Sequence, residues 1–311
     1  MKTPIRFTAL ALSILLTSGV AAAADLKIGV SMSQFDDTYL TSVREYMLEQ
    51  AKSYPKGDGV QLQFEDARAD VVKQLSQVEN FISQKVDAII VNPVDTASTA
   101  RISKEATEAG IPLVYVNRRP DQKDLPKGVA AVTSNDEEAG RMQMQYIADK
   151  LGGKGAIVIL LGDLANNSTT NRTKGVKEVL AKYPGIKIEQ EQTGAWLRDR
   201  GMTLVSDWLT QGRAFNAVIS NNDEMAIGAA MALKSVGTKP GSVLIAGVDG
   251  TQDGLNAVAK GDLAMSVFQD AKGQGDGAVE AARKMAKGET IEQNIVIPFK
   301  PITADNVKDF K

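Results

Sequence analysis

The sequence predicts an α/β protein of two related lobes, each built on a parallel sheet. Three observations predict it. Short β-rich runs alternate with amphipathic stretches of helical length along most of the chain. A strand-to-helix seam recurs, as DAIIVNP at 87–93 and NAVISNN at 216–222. The strands that follow correspond too, GIPLVYVNR at 110–118 with GSVLIAGVDG at 241–250, at similar intervals: 25 residues from Asn92 to Asn117 and 28 from Asn221 to Asp249. Strand–helix–strand repetition implies parallel strands joined by right-handed crossovers, with helices on both faces. The 311 residues are enough for two modest domains.

In chain order, the strand runs include Lys27–Ser31, Gln61–Glu65, Ala88–Val91, Pro112–Val116, Ala156–Leu161, Lys187–Gln190, Ala217–Ser220 and Val243–Val248. Between them lie helical stretches at 38–53, 70–84, 97–109, 136–151, 170–182, 199–211, 223–236 and 271–287. In the second of these, Val71, Leu75, Val78 and Ile82 recur at spacings of three and four, which places them on one helical face. In sheets of this kind ligands bind beyond the carboxyl ends of the strands.

Ahead of the first strand, Lys2 and Arg6 precede an apolar run from Phe7 to Leu16, followed by small residues ending Ala21–Ala24. A basic start, a short apolar core and a small-residue exit form a secretory signal peptide, expected at 1–24. The run is too short to span a bilayer comfortably. Cleavage there removes two cations and takes the formal net charge from −2 to −4. The expectation is an exported, soluble, periplasmic protein. Composition excludes much else. Cys and His are both 0, which removes disulfides, thiolate nucleophiles and the commonest general base and metal ligand. A mildly acidic chain has no field to hold a phosphate backbone, so no nucleic-acid partner is expected. LGGKG at 151–155 lacks the G-K-[ST] of a phosphate loop and precedes its strand. No calcium loop is present.

The seams carry the candidate site. SQFDDTYLTS at 33–42 puts Asp36 and Asp37 where a helix begins, with Tyr39 in its first turn. One aspartate can cap that helix while the other accepts from hydroxyls. NNSTTNRTKG at 166–175 places Arg172 early in a helix, where its fork of donors suits vicinal hydroxyls. Trp196, in GAWLRDR, falls between a strand and a helix, where an indole can stack on an apolar ring face, whereas Trp208 reads as core. Gln269, in MSVFQDAKG, stands at another strand exit and can donate and accept at once. A single asparagine at a seam needs no explanation beyond capping. Two halves that each end their strands in carboxamides, a carboxylate or a guanidinium are harder to explain that way, and could enclose a small polar molecule.

FDDTYL, VNPVD, NNDEMAIGA and GVDGTQDG, in that order, make the chain resemble the periplasmic solute-binding proteins of ABC importers, specifically the ribose/galactose-type monosaccharide binders. The resemblance covers about 25–311. It implies the type I fold, two Rossmann-like lobes joined by a three-strand hinge that closes on a sugar. It also implies crossings near Ser134, Gln269 and Pro298, hence a first lobe of 25–134 plus 270–298 and a second of 135–269 plus 299–311. Carried over by position, the ligand-binding residues are Asp37, Tyr39, Asn92, Asn117 and Arg118 from the first lobe. The second supplies Asn166, Ser168, Arg172, Trp196, Asn222 and Asp249, with Gln269 at the hinge. Asn222 is the expected sugar contact and Asn221 a structural residue. No catalytic residue, metal or cofactor is expected.

The chain departs from both best-known types. Ribose binders favour Asn and paired Phe where Asp37, Tyr39 and Leu40 stand. Galactose binders prefer His and Asp at the places of Asn166 and Ser168, and often carry a calcium loop. The SQFDDTYLT form looks closest to inositol- and rhizopine-type binders. The expected ligand is a neutral cyclic polyol such as myo-inositol, with ribose- or galactose-type binding as the alternative. Two carboxylates and two guanidiniums bring the proposed shell near charge balance. The expected partners are an ABC permease and, where sensing is served, a chemoreceptor or sensor kinase, with the chain a monomer. A sugar-responsive regulator core would need a DNA-binding helix-turn-helix where the export signal stands. A glycosidase would act through two carboxylates.

Overall fold

The structure, a computed structural model, describes residues 25–55 and 58–310. The expected signal peptide, 1–24, lies outside the described residues. The first lobe begins β1 (Leu26–Met32), α1 (Thr38–Ser53), β2 (Val60–Asp66), α2 (Val71–Ser83), β3 (Ala88–Val91), α3 (Thr99–Glu108), β4 (Leu113–Asn117) and β5 (Val129–Thr133). The chain then runs α4 (Asp136–Lys150), β6 (Lys154–Leu161), α5 (Asn167–Leu180), β7 (Gly185–Thr193), α6 (Arg198–Thr210), β8 (Ala217–Ser220), α7 (Asp223–Ser235), β9 (Leu244–Ala246), α8 (Gln252–Ala259) and β10 (Met265–Phe268). It ends with α9 (Ala271–Ala286), β11 (Asn294–Val296), β12 (Lys300–Thr303) and a 3-10 turn, Val307–Phe310.

Two six-stranded sheets result, ordered β11-β5-β4-β3-β1-β2 and β12-β10-β9-β8-β6-β7. The orders superimpose strand for strand, so the recurrence in the sequence is a duplicated topology. The first sheet is parallel throughout. The second is parallel except at its edge, where β12 runs antiparallel to β10. That exception follows from connectivity: β12 arrives from the other sheet through three residues, with no helical crossover to impose a parallel direction. The chain passes between sheets at 134–135, 269–270 and 297–299. After the first passage α4 packs on α5 and the second sheet; after the second, α9 returns to pack on α1 and the first.

Central strands are buried on both faces, and their sequences are continuous apolar runs for that reason. Every residue of β3, β4, β5 and β8 is buried. The helical spacing in α2 is real, but its inward face is rotated from the one the apolar residues alone suggest. Gln74, Gln77, Val78 and Phe81 are the buried residues. The two glutamines turn inward because partners wait there. Gln74 Nε2 donates to the Asn92 carbonyl at 2.9 Å, and Ser31 Oγ donates to Gln77 Oε1 at 2.7 Å. In the second lobe α4 and α5 cross in close contact at Gly140, where a Cβ would stand 1.9 Å from the Arg172 carbonyl oxygen. Only glycine permits that approach, which brings Asp136 on α4 within reach of Arg172 on α5.

β5, β11, β12 and α8 were not evident in the apolar patterning. Three are short or lie at a sheet edge, where one face carries little of the core.

Candidate functional site

Both sheets are topological-switch sheets: β1 lies between β3 and β2, and β6 between β8 and β7. Their strand tips face each other across the passages, the place where α/β sheets bind ligands. A small cavity lies there. Asp37, Tyr39, Leu40, Asn117, Arg118, Asn166, Ser168, Arg172, Trp196, Asn222, Asp249 and Gln269 line it. The structure thus brings together every residue expected there except Asn92, and adds Leu40. Leu40, which stands where the resemblance puts one of the paired Phe of ribose binders, was not among the expected contacts.

Asn92 stands behind the wall with its hydrogen bonds spent. Its Oδ1 accepts from Ser33 Oγ at 2.7 Å, and its Nδ2 donates to the Val116 carbonyl at 3.1 Å and to Asn117 Oδ1 at 3.3 Å. Asn92 thus lies outside the cavity lining and holds Asn117 from behind. Asn221, its counterpart, has the same duty: its Oδ1 accepts from the Gly162 N–H at 3.0 Å, just past β6.

Capping and cavity lining are not alternatives in this protein. Asp37 caps α1 by accepting from the Leu40 N–H at 2.8 Å. Asn166 caps α5 through the Ser168 N–H at 2.9 Å, and Asn222 caps α7 through the Met225 N–H at 3.0 Å. One oxygen of each is used by a helix, which pins the side chain at the strand–helix seam while its remaining atoms face inward. Asp36 is exposed. Asn222 Nδ2 also donates to the Trp196 carbonyl at 3.1 Å, holding the left-handed pair Ala195 (φ 50°) and Trp196 (φ 71°). The indole lies over Gly162, where a Cβ would meet Trp196 Cη2 at 2.1 Å. The sequence-predicted stacking surface is thus held by two backbone constraints.

Arg172, 4 % exposed, is the hub of the second lobe. Its Nε donates to Asp136 Oδ1 at 2.8 Å, its Nη1 to the Asn221 carbonyl at 2.6 Å and its Nη2 to Gln269 Oε1 at 3.0 Å. Asp249 lies 3.8 Å from Nη1. Of the five N–H groups of a guanidinium, three are used by the protein and two remain for the cavity. The lining holds two carboxylates, Asp37 and Asp249, and two guanidiniums, Arg118 and Arg172; Asp136, which the sequence did not single out, pairs with Arg172 from outside it. Arg118 Nη1 donates to the Pro93 carbonyl at 2.8 Å. Two buried polar atoms in the lining, Tyr39 OH and Trp196 Nε1, have no hydrogen-bond partner. Buried polar groups of this kind are rare without a ligand or water to satisfy them.

The carboxylates here are held in their neutral direction. Burial pushes Asp37 upward, against the Leu40 N–H and Arg118. Burial pushes Asp249 well above the carboxylate range, against Arg172. Asp223, at the start of α7, accepts from Ser266 Oγ at 2.6 Å and from the N–H groups of Gly250 and Thr251, and burial pushes it up to about 7. A folded pKa above the unfolded value of about 4 means that the native chain holds the extra protons between those values. The contribution of Asp223 is fully present below about 4 and is lost as pH rises through about 7, and Asp37 and Asp249 act with the same sign. With His at 0, no other side chain type ordinarily titrates in that interval. The ligand-free protein is therefore expected to melt at a higher temperature near pH 5.5 than near pH 8. A melting point that rises toward pH 8 contradicts the sign.

Direct bonds also join the lobes at one edge of the cavity. Asn167 Nδ2 donates to the Arg119 carbonyl at 2.6 Å and to Asp121 Oδ1 at 2.9 Å, and the Thr96 N–H donates to the Ala165 carbonyl at 3.2 Å. The arrangement is a closed one.

This geometry has known counterparts. A candidate rhizopine-binding protein of Rhizobium meliloti is 50% identical over 287 residues, covering 91% of this chain and 92% of that protein. A xylitol-binding protein of Mycolicibacterium smegmatis is 38% identical, covering 92% of this chain and 80% of that protein. Among solved structures, an ABC transporter solute-binding protein of Bacillus halodurans with bound myo-inositol has a TM-score of 0.87 at 40% identity, over 93% of this chain and 98% of that one. The family model described as a periplasmic binding protein domain matches residues 28–290. With its duplicated sheets, three passages and polar cavity between strand tips, the chain belongs to the periplasmic binding protein family.

Proposed function

We propose that the cavity binds a neutral cyclic polyol, with myo-inositol the first choice. In this reading the protein carries that ligand through the periplasm to the permease of an ABC importer. The observation that carries the reading is the unspent hydrogen-bonding capacity of a buried cavity. Tyr39 OH and Trp196 Nε1 lack partners, and two guanidinium N–H groups of Arg172 are free. Each buried hydroxyl left unpaired costs about 1–3 kcal/mol, so a polyol needs such a mixed shell of donors and acceptors. The half-buried indole offers a face for the axial C–H groups of a ring. The named ligands of the relatives, rhizopine, xylitol and myo-inositol, support a polyhydroxylated guest.

Binding without chemistry is part of the proposal. Arg118 and Arg172 are held in place by backbone and side-chain oxygens and serve as donors, and no Cys or His is available in the sequence for nucleophilic or general-base work. We place the mature chain in the periplasm as a monomer, with Asp37, Tyr39, Asn117, Arg118, Asn166, Ser168, Arg172, Trp196, Asn222, Asp249 and Gln269 as ligand contacts. A chemoreceptor or sensor kinase is a second partner compatible with a closed, loaded form.

A thermal-shift screen against inositols, pentoses and hexoses tests the reading. A ligand at a hundredfold its Kd adds about 2.7 kcal/mol, which for a chain of this size is a rise of about 4–5 °C. Myo-inositol is expected to give the larger shift and ribose a smaller one. No shift with any polyol would overturn the proposal.

A further inference from the structure

We propose that Gln274, which lines no part of the cavity, is a positioning residue that ties the cavity wall to the first passage between the lobes. It rests on the reading of the cavity as the ligand site. Gln274 lies in the first turn of α9 and is 0% exposed. Its two polar ends face in different directions. Oε1 accepts from Asn117 Nδ2 at 3.2 Å, and Nε2 donates to Ser134 Oγ at 3.0 Å. Asn117 lines the cavity, while Ser134 is in the two-residue passage between β5 and α4.

The chain of bonds continues on the far side of Asn117. Asn92 Nδ2 donates to Asn117 Oδ1 at 3.3 Å, and Ser33 Oγ donates to Asn92 Oδ1 at 2.7 Å. An unbroken series of side chains therefore runs from the loop after β1, through the cavity wall, to the passage. Asn117 has a left-handed backbone, φ 67°, which Asn tolerates better than most residues. Its amide is gripped on both sides, by Asn92 at the oxygen and Gln274 at the nitrogen. That leaves one N–H and one lone pair to meet a ligand, at an orientation the relay sets. The same Gln274 amide holds Ser134, so the direction in which Asn117 points and the conformation of the passage are linked through one side chain.

Only an amide serves both partners at once. A side chain of equal length without polar ends fills the same volume but leaves Asn117 Nδ2 and Ser134 Oγ without this partner. Gln274→Met makes that change. It is expected to weaken binding of the ligand found for the wild-type chain about tenfold. Because Gln274 acts through Asn117, the double variant with Asn117→Ala is expected to bind no more than about twofold worse than Asn117→Ala alone. Losses that multiply would overturn the relay, since a residue that only stabilises the fold has no reason to be coupled to Asn117.

A second readout needs no ligand. The native sequence has no Cys, so spin labels attach only where placed, at exposed Lys104→Cys on α3 and Lys182→Cys beyond α5. The full mature chain carrying Gln274→Met is expected to show a broader inter-lobe distance distribution than the wild type without ligand. An unchanged distribution would overturn the link to the passage. If Gln274→Met fails to fold, Ser134→Ala cuts the same tie at a half-buried site and is expected to broaden the distances too; no broadening there overturns it equally. A wild-type chain that binds no polyol would overturn the reading of the cavity, while the distances still decide the tie to the passage.

Discussion

Replacing Arg172 with Met is expected to destabilise the protein by about 3–5 kcal/mol and to abolish ligand binding. The side chain is joined to all three passages between the lobes. Its Nε reaches Asp136 at the start of α4, its Nη2 reaches Gln269 after β10, and its guanidinium carbon lies 5.9 Å from the Phe299 ring just before β12. Burial alone works against a charge at this position, yet Asp136 and Asp249 outweigh it and raise the pKa of Arg172. Removing the cation leaves Asp136 and Asp249 without their buried counter-charge. A urea titration followed by circular dichroism reads the stability. Arg172→Lys restores charge but not the fork, and is expected to recover part of the stability and little of the binding. A Met variant as stable as the wild type would show that the hub is not what organises this lobe.

Asp249→Asn is expected to move stability and binding in opposite directions. Asp249 ends the strand-tip segment after β9, with φ 125°, and lies buried 3.8 Å from Arg172. Burial raises its pKa far above the ordinary range, so the ionised form is a cost to the empty protein at neutral pH. Asn removes that cost, and the ligand-free melting point should rise. The same change turns one acceptor oxygen into an N–H donor and leaves a ligand hydroxyl without its acceptor, a loss of about 1–3 kcal/mol, so affinity should fall about 10- to 100-fold by calorimetry. Unchanged affinity would place the carboxylate outside the ligand's contacts.

The duplicated topology was legible because it is written in local pattern: apolar runs of strand length, amphipathic stretches, and polar residues at matching seams. Asn92 and Asn221 occupy equivalent positions in the repeat. Both side chains accept from the residue or turn just past the first strand of their own sheet. What the pattern could not show are partners far apart in sequence. Asp136 with Arg172, and Gln274 with Asn117 and Ser134, are separated by 36, 157 and 140 residues. Asp136 and Gln274, taken alone, read as helix-surface polar groups. Gln74 and Gln77 mislead in the same way, since an amide has no apolar signal and its burial depends on a partner across the sheet. The edge strands β11 and β12 were missed because three or four residues at a passage carry too little periodicity to register.

The measurement that bears most directly on the account is a crystal structure of the mature chain with myo-inositol. The ring is expected between the two sets of strand tips, with Tyr39 OH and Trp196 Nε1 each given a hydroxyl partner and Asp249 and Arg172 bonded to the ring oxygens. A cavity holding only water, with the cyclitol absent or seated elsewhere on the molecule, would contradict it.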